Sequence, residues 1–265
     1  MSLYEDQFLE KNDLNRVEKP SKTLIIASTG RSGSHMLGHA LQQTGCFGFP
    51  LEYTNPQNLA EWKRRLKIDD LFSVLTEIQQ RRTSSNGIFG IKIHHSHIKQ
   101  FGSLQDIINF FPNACFVLLS REDVLKQAIS MSIAKQTGVW ISGQTAKNTN
   151  PQYNFKHINS CLKQIIIDNS TWRYLLSASG CDYIEMNFNS VQNDLAKAIV
   201  DIANFVNIDI NIDDIPKKQI TKKQSNNINA EWAIKFISDF DTTNKLISEP
   251  ELSYFERLKN RVKKI

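Results

Sequence analysis

Short apolar runs alternate along the chain with longer stretches of helical period. Residues 24–28 (LIIAS) form the first apolar run, rich in β-branched side chains, and read as a buried strand. Residues 33–43 follow with Met36, Leu37, Ala40 and Leu41 on one helical face, and Thr44-Gly45 closes that helix. Residues 59–82 carry a helical pattern through Leu59, Trp62, Leu66, Leu71, Leu75 and Ile78, ending at the loop signal RRTSSNG. A second strand is predicted over 88–93 (IFGIKI), a helix around 97–110, a third strand over 115–119 (CFVLL) and a helix over 122–135. Residues 138–154 lack any period and are rich in Gly, Asn and Thr; a loop of that length in a compact domain is characteristically functional or disordered. An amphipathic helix is predicted over 155–177, a fourth strand over 183–188 and a helix over 195–206. The remainder is less periodic. No internal repeat is visible. Strands alternating with helices predict an α/β fold, a P-loop-like parallel β-sheet flanked by helices on both faces.

Composition narrows this picture. The chain has 265 residues, 40% hydrophobic and 22% charged, which predicts one domain over 1–265 with a polar lead-in at 1–21 and a basic C-terminal tail at 241–265. A net charge of +5 suits an anionic ligand. Aromatics are not interleaved with the C-terminal lysines, so no nucleic-acid partner is expected. Cysteines 46, 115, 161 and 181 form no close pair, which excludes a CxxC metal or redox site and predicts reduced thiols. The N-terminal stretch has no signal-like apolar segment, and no run approaches the ~18 apolar residues of a membrane span. A cytoplasmic protein with no integral membrane segment is expected.

The chemistry begins at STGRSGSHML, between the first strand and its helix. Helix N-termini offer unpaired N–H groups and a partial positive charge, and small residues let an anion approach the backbone. Ser28, Thr29, Gly30, Ser32, Gly33 and Ser34 supply such a loop, and Arg31 adds a bidentate cation. The nucleoside-triphosphate loop GxxxxGK[ST] is absent: Ser34-His35 follows Gly33, and the basic residue comes earlier. This layout predicts a shorter, metal-free phosphate site; an ordinary serine-capped helix is the bland alternative. A second cluster, LLSREDVLKQAIS, puts Arg121 at the carboxyl end of the third strand, on the rim where doubly wound sheets bind ligands. Ser130 follows about 13 Å along a helix at ~1.5 Å per residue, so it meets Arg121 only across a sharp turn.

Taken together these segments resemble the PAPS-dependent sulfotransferases (PAPS is 3′-phosphoadenosine-5′-phosphosulfate). More narrowly, the chain resembles the bacterial carbohydrate sulfotransferase family typified by trehalose 2-sulfotransferase. Its loop matches STGRSGSHML, its Glu-Tyr pair matches Glu52-Tyr53, its V-K-[LI] strand matches GIKI, its RRDKLRQAVS-like segment with TG-x-W matches SREDVLKQAIS and QTGVW, and its C-terminal basic-Gln-Asn-Trp pattern matches KKQSNNINAEW. The motifs keep their order over residues 22–240. Three positions depart: Gly30 replaces a proline, His35 a threonine, and Asn187-Phe188-Asn189 lacks the family's acid.

The resemblance implies a sulfotransferase fold and an enzyme that moves a sulfuryl group from PAPS to a carbohydrate or glycolipid hydroxyl, leaving PAP. It implies that residues 28–34, with Arg31 in the lysine's place, hold the 5′-phosphosulfate. Arg121 and Ser130, helped by Lys222, Lys223 or Gln224, hold the 3′-phosphate. Glu52 becomes the catalytic base with Arg31 as charge stabiliser, and Tyr53, Lys92, His94 and Trp140 line the acceptor side. His94 is the alternative base, since histidine titrates near neutrality. His94, His95 and His97 do not converge readily on one ion, and no metal is expected. Two other readings compete: a P-loop nucleotide kinase-like phosphotransferase, against which the missing GK[ST] argues, and a non-catalytic anion- or nucleic-acid-binding module. The long helical segments offer surface for a homodimer.

Overall fold

The computed structural model describes residues 5–141, 143–217 and 227–241. Among these, four strands form one fully parallel sheet: β1 (Lys22–Ser28), β2 (Ile88–His94), β3 (Ala114–Ser120) and β4 (Tyr183–Asn187), in spatial order β2-β1-β3-β4. All four strands start within two residues of their predicted positions. Lys222, Lys223, Gln224 and residues 242–265 lie outside the described residues.

Local signals set the helices. α1 (Ser34–Gln43) opens from Gly33, whose left-handed φ of 91° turns the chain off β1. α2 (Pro56–Leu66) starts where Asn55 caps the Gln57 N–H and Pro56 fixes the first turn. α3 (Leu71–Arg82) starts at Asp70, which accepts from Ser73 N at 2.7 Å. The single helical stretch predicted over 59–82 is therefore two helices, because Lys67 turns left-handed (φ 58°) and its N–H closes on Lys63 O. The helix predicted around 97–110 is also divided, into α4 (Ile98–Phe101) and α5 (Leu104–Phe110). Gly102 at φ 105° ends one, and Ser103 caps the next through the Asp106 N–H. α6 (Val124–Thr137) is capped by Asp123 and stopped by left-handed Gly138. α7 (Phe155–Ser179) is capped by Asn154 and stopped by Gly180. Phe188 leaves the predicted fourth strand to begin α8 (Phe188–Asn193), and α9 (Leu195–Val206) matches its prediction. α10 (Asn227–Asp239) was not anticipated.

The alternation of side chains along a strand builds two cores, one on each sheet face. Leu24, Ile26, Val117 and Leu119 point to one face, where Met36, Leu37 and Leu41 of α1 and Ile199, Ile202 and Val206 of α9 cover them. Ile25, Ala27, Ile91, Ile93, Phe116 and Leu118 point to the other, under Val74, Leu75 and Ile78 of α3, Ile107 of α5 and Trp172 and Leu176 of α7. A third cluster joins α6, α7 and α10 through Ile129, Ile158, Cys161, Trp232 and Phe236. All four cysteines are free thiols. No helix of the described residues is long and apolar enough to cross a membrane.

Candidate active site

Parallel pairing aligns Ser28, the last residue of β1, with His94, the last of β2, and Ile26 with Lys92. Ser28, Lys92 and His94 thus share the α1 face of the sheet at its carboxyl rim. Glu52 is brought there by the main chain. Leu51 forms a parallel bridge to Ile91 on the outer edge of β2, and Lys92 N donates to Leu51 O at 2.9 Å. Asn58 Nδ2, from the first turn of α2, donates to Glu52 O at 2.9 Å and fixes the turn.

At this rim Glu52 Oε1 accepts from both Lys92 Nζ and His94 Nε2, each at 2.8 Å. Oε2 receives only a long contact from Asn55 Nδ2, 3.4 Å. His94 Nδ1 meets Ser28 Oγ at 3.0 Å. Burial works to raise the Glu52 pKa, but Lys92 and His94 outweigh it and hold the carboxyl well below its ordinary value. The carboxylate is ionised across the neutral range. Lys92 is 2% exposed, so Glu52 is what compensates a buried ammonium. The three neighbouring histidines turn to different partners: His94 to Glu52 and Ser28, His95 Nδ1 to Asp168 Oδ1 at 2.8 Å, and His97 Nδ1 to Thr54 Oγ1 at 3.3 Å. Among the described residues no group of three or more His, Cys, Asp or Glu side chains is arranged to hold a metal ion.

The loop from β1 to α1 forms the other half. Arg31 and Gly33 both have positive φ (65° and 91°), which folds the loop tightly onto the helix N-terminus. No acid lies in the first turn of α1 to neutralise its exposed N–H groups. Interior helix residues clamp the loop from beneath. Gln127 Nε2 of α6 donates to Thr29 Oγ1 (2.9 Å) and Gly30 O (2.8 Å), Thr29 Oγ1 donates to Asn169 Oδ1 of α7 (3.3 Å), and Trp172 Nε1 donates to Ser28 O (3.1 Å). None of Gln127, Asn169 and Trp172 was singled out from the sequence; each reads there as an ordinary helix position.

Arg31 donates through Nε to Ser130 Oγ at 2.9 Å and through Nη1 to Trp140 O. Burial first, then the nearby charge of Arg121, draws the Arg31 pKa down to about 10, so it stays cationic at neutral pH. Arg121 stacks over the Phe188 ring at 5.5 Å, and its buried Nε donates to no group among the described residues. The buried hydroxyl of Ser32 likewise has no partner there. Two arginines, an open helix N-terminus and these two orphaned donors are the chemistry of an anion site.

Most of the expected site residues therefore meet at one rim. Ser130 does so by accepting from Arg31. The Ser28 hydroxyl turns away from the loop mouth toward His94, and the residue is wholly buried. Trp140 contributes its carbonyl. Tyr53 does not join them: its ring packs between Trp62 and Phe89 and its hydroxyl bonds Phe49 O. Two of the departures have these surroundings. A Cβ on Gly30 would fall 2.4 Å from Met131 Cε, the movable end of that side chain. His35 packs edge-on against His39, 4.4 Å between ring centres, and burial first, then Lys92, holds its pKa well below the ordinary value.

The sequence model of the Stf0 sulphotransferase family matches residues 23–239. The chain is 22% identical to trehalose 2-sulfotransferase of Mycobacterium tuberculosis, over 80% of this chain and 93% of that one. Similar solved structures include a sulfotransferase from Alicyclobacillus acidocaldarius (12% identity, 84% of this chain and 93% of that one, TM-score 0.47). Another is mouse sulfotransferase SULT7A1 complexed with PAP (13% identity, 92% of this chain and 82% of that one, TM-score 0.45).

Proposed function

The chain belongs to the Stf0 sulphotransferase family, and from that premise we propose that it moves the sulfuryl group of PAPS to a hydroxyl of a carbohydrate or glycolipid, giving PAP and a sulfate ester. Sulfuryl transfer follows from the family; the donor, the sugar acceptor and the residue roles are the proposal. The observation that carries it is the adjacency of an ionised carboxylate, Glu52, and an arginine-bearing loop at one sheet rim. The name of the mycobacterial relative supports a sugar hydroxyl as acceptor.

PAPS supplies an activated sulfuryl group and a phosphate leaving group. The residues divide the remaining work. Arg31 and the α1 N–H groups face charge that grows on the departing phosphate. Arg121, with its orphaned Nε, takes the 3′-phosphate and selects the donor. Glu52 Oε2 accepts the hydrogen bond of the acceptor hydroxyl and orients its oxygen for in-line attack. The hydroxyl proton grows strongly acidic as the new O–S bond forms, so a carboxylate of low pKa is base enough to take it. Lys92, on Oε1, keeps the carboxylate ionised until then.

Two measurements test this reading. PAP is expected to raise the melting temperature without Mg²⁺ and ATP is not, because only PAP carries the 3′-phosphate. Labelled PAPS with a panel of disaccharides and glycolipids is expected to yield a labelled sulfate ester and one PAP per ester. Stabilisation by PAP with no transfer to any member of the panel overturns the acceptor assignment. Stabilisation by Mg-ATP alone overturns the donor.

A further inference from the structure

Positions 28, 52 and 94 are far apart in sequence, yet they form a continuous hydrogen-bonded chain: Ser28 Oγ to His94 Nδ1 at 3.0 Å, then His94 Nε2 to Glu52 Oε1 at 2.8 Å. Each junction restricts the protons. A carboxylate oxygen only accepts, so Nε2 carries hydrogen. Ser28 is 0% exposed, and His94 Nδ1 is the sole partner of its hydroxyl among the described residues. A buried hydroxyl proton without an acceptor is costly, so Ser28 donates and Nδ1 is bare.

We infer that Ser28 is a positioning residue: its hydroxyl locks His94 in the Nε2–H tautomer, and His94 in turn turns Glu52 so that Oε2 faces the acceptor. With Nε2–H given to Glu52 and Nδ1 taken by Ser28, His94 has no lone pair left for a substrate proton. The choice between Glu52 and His94 as base then falls to Glu52. Lys92 cannot hold the orientation alone. A single ammonium on Oε1 acts as a point charge about which the carboxylate can rotate, whereas Lys92 and His94 together fix one oxygen and leave the other open. The two neighbouring histidines of the same segment are engaged elsewhere: His97 faces Thr54, and His95 faces Asp168. The backbone N–H of His94, for its part, is turned to His97 Nδ1 at 3.4 Å. The same hydroxyl explains why Ser28 belongs to the loop motif without facing its mouth. The tautomer follows from the contacts alone; its effect on turnover rests on the proposed role of Glu52.

Long-range ¹⁵N–¹H correlation spectra of the full chain at pH 8 report the tautomer directly, with the His94 signals identified by their loss in His94→Gln. The wild type is expected to show a protonated Nε2 and a bare Nδ1. Ser28→Ala is expected to shift His94 toward a mixture of tautomers and to lower kcat about 10-fold, the lower range for loss of an orienting partner, with PAP affinity kept within about twofold. A bare Nε2 in the wild type overturns the inference without any variant. Ser28→Ala that weakens PAP several-fold while His94 keeps its tautomer also overturns it, and returns Ser28 to the donor loop. Failure of PAP to bind the wild type overturns the donor reading and leaves the tautomer test standing.

Discussion

The two halves of the candidate site are built on opposite principles. Around Glu52, every charge has a partner: Lys92 and His94 meet one carboxylate oxygen, Ser28 meets His94, and the main chain of Leu51 and the side chain of Asn58 hold the turn. Around Arg31, burial and then the charge of Arg121 draw the guanidinium pKa down, Arg121 Nε and Ser32 Oγ have no partner among the described residues, and the first turn of α1 carries no acid. The first half is internally paired, which suits the proton transfer proposed for Glu52. The second holds donors without a protein acceptor among the described residues, which suits the anion proposed there. Its scaffold is nevertheless rigid, because Gln127, Asn169 and Trp172 hold the loop backbone from below. On the proposed roles, binding and chemistry are expected to be separable by mutation.

The sharpest way to break that separation is Glu52→Gln. Turnover is expected to fall about 10³-fold, the usual range for a lost general base, while PAP affinity measured by calorimetry stays within about twofold. An equal loss of both would merge the two halves. The same variant carries a pH signature. The Glu52 pKa is depressed in the fold, so its stabilising contribution is fully present above the ordinary carboxylate pKa of 4.5 and is lost as pH falls through the lower, folded value. The difference in unfolding free energy between wild type and Glu52→Gln is expected to be flat from pH 5 to 8 and to shrink only below 4.5. A difference that already changes between pH 7 and 5 assigns the titration to another group.

Arg121→Ala probes the other half. Loss of one charge-assisted contact is expected to weaken PAP by about 10- to 100-fold, from ~1.5–3 kcal/mol, and to leave 5′-AMP almost unaffected. Equal weakening of both nucleotides places Arg121 away from the 3′-phosphate. The smallest expected effect separates two glycines of the loop. Gly33→Ala meets both a positive φ and the Phe188 ring, whose Cδ2 lies 2.0 Å from the added Cβ, and is expected to cost about 1–3 kcal/mol in chemical denaturation. Gly30→Ala meets only the flexible end of Met131, so its cost is expected to stay within about 1 kcal/mol. A reversal of that order removes backbone strain as the reason for the glycine at 33.

The sheet was legible in the sequence because buried parallel strands read as continuous apolar runs, and the loop after β1 was legible because its small residues and arginine have few other uses. Helix breaks were harder. Lys67 adopts a left-handed turn without glycine, and the Gly102-Ser103 break lay inside a pattern whose period continued across it. α10 escaped because little of it is buried: Asn229, Trp232 and Phe236 are covered while Ile234 and Ile237 are exposed, which blurs its period. In the site, single positions were legible but their partners were not. Ser130 bonds Arg31, a contact that helical spacing does not reveal, because nothing in a helical spacing states which loop the helix faces. The Ser28–His94 contact depends on the register of β1 against β2, which local patterns do not encode.

The bridge from Leu51 to the edge of β2 has a consequence for the divergence of such enzymes. The carboxylate proposed as base is placed in part by a backbone hydrogen bond, and a backbone hydrogen bond does not depend on side-chain identity. The segment that follows, through α2 and α3, can therefore drift in sequence without moving Glu52, provided that Asn58, which holds the Glu52 carbonyl, and the core side chains Val74, Leu75 and Ile78 are kept. On the proposed role of Glu52, new acceptor specificities would then be accessible to evolution, and to loop grafting in the laboratory, with the carboxylate kept in register.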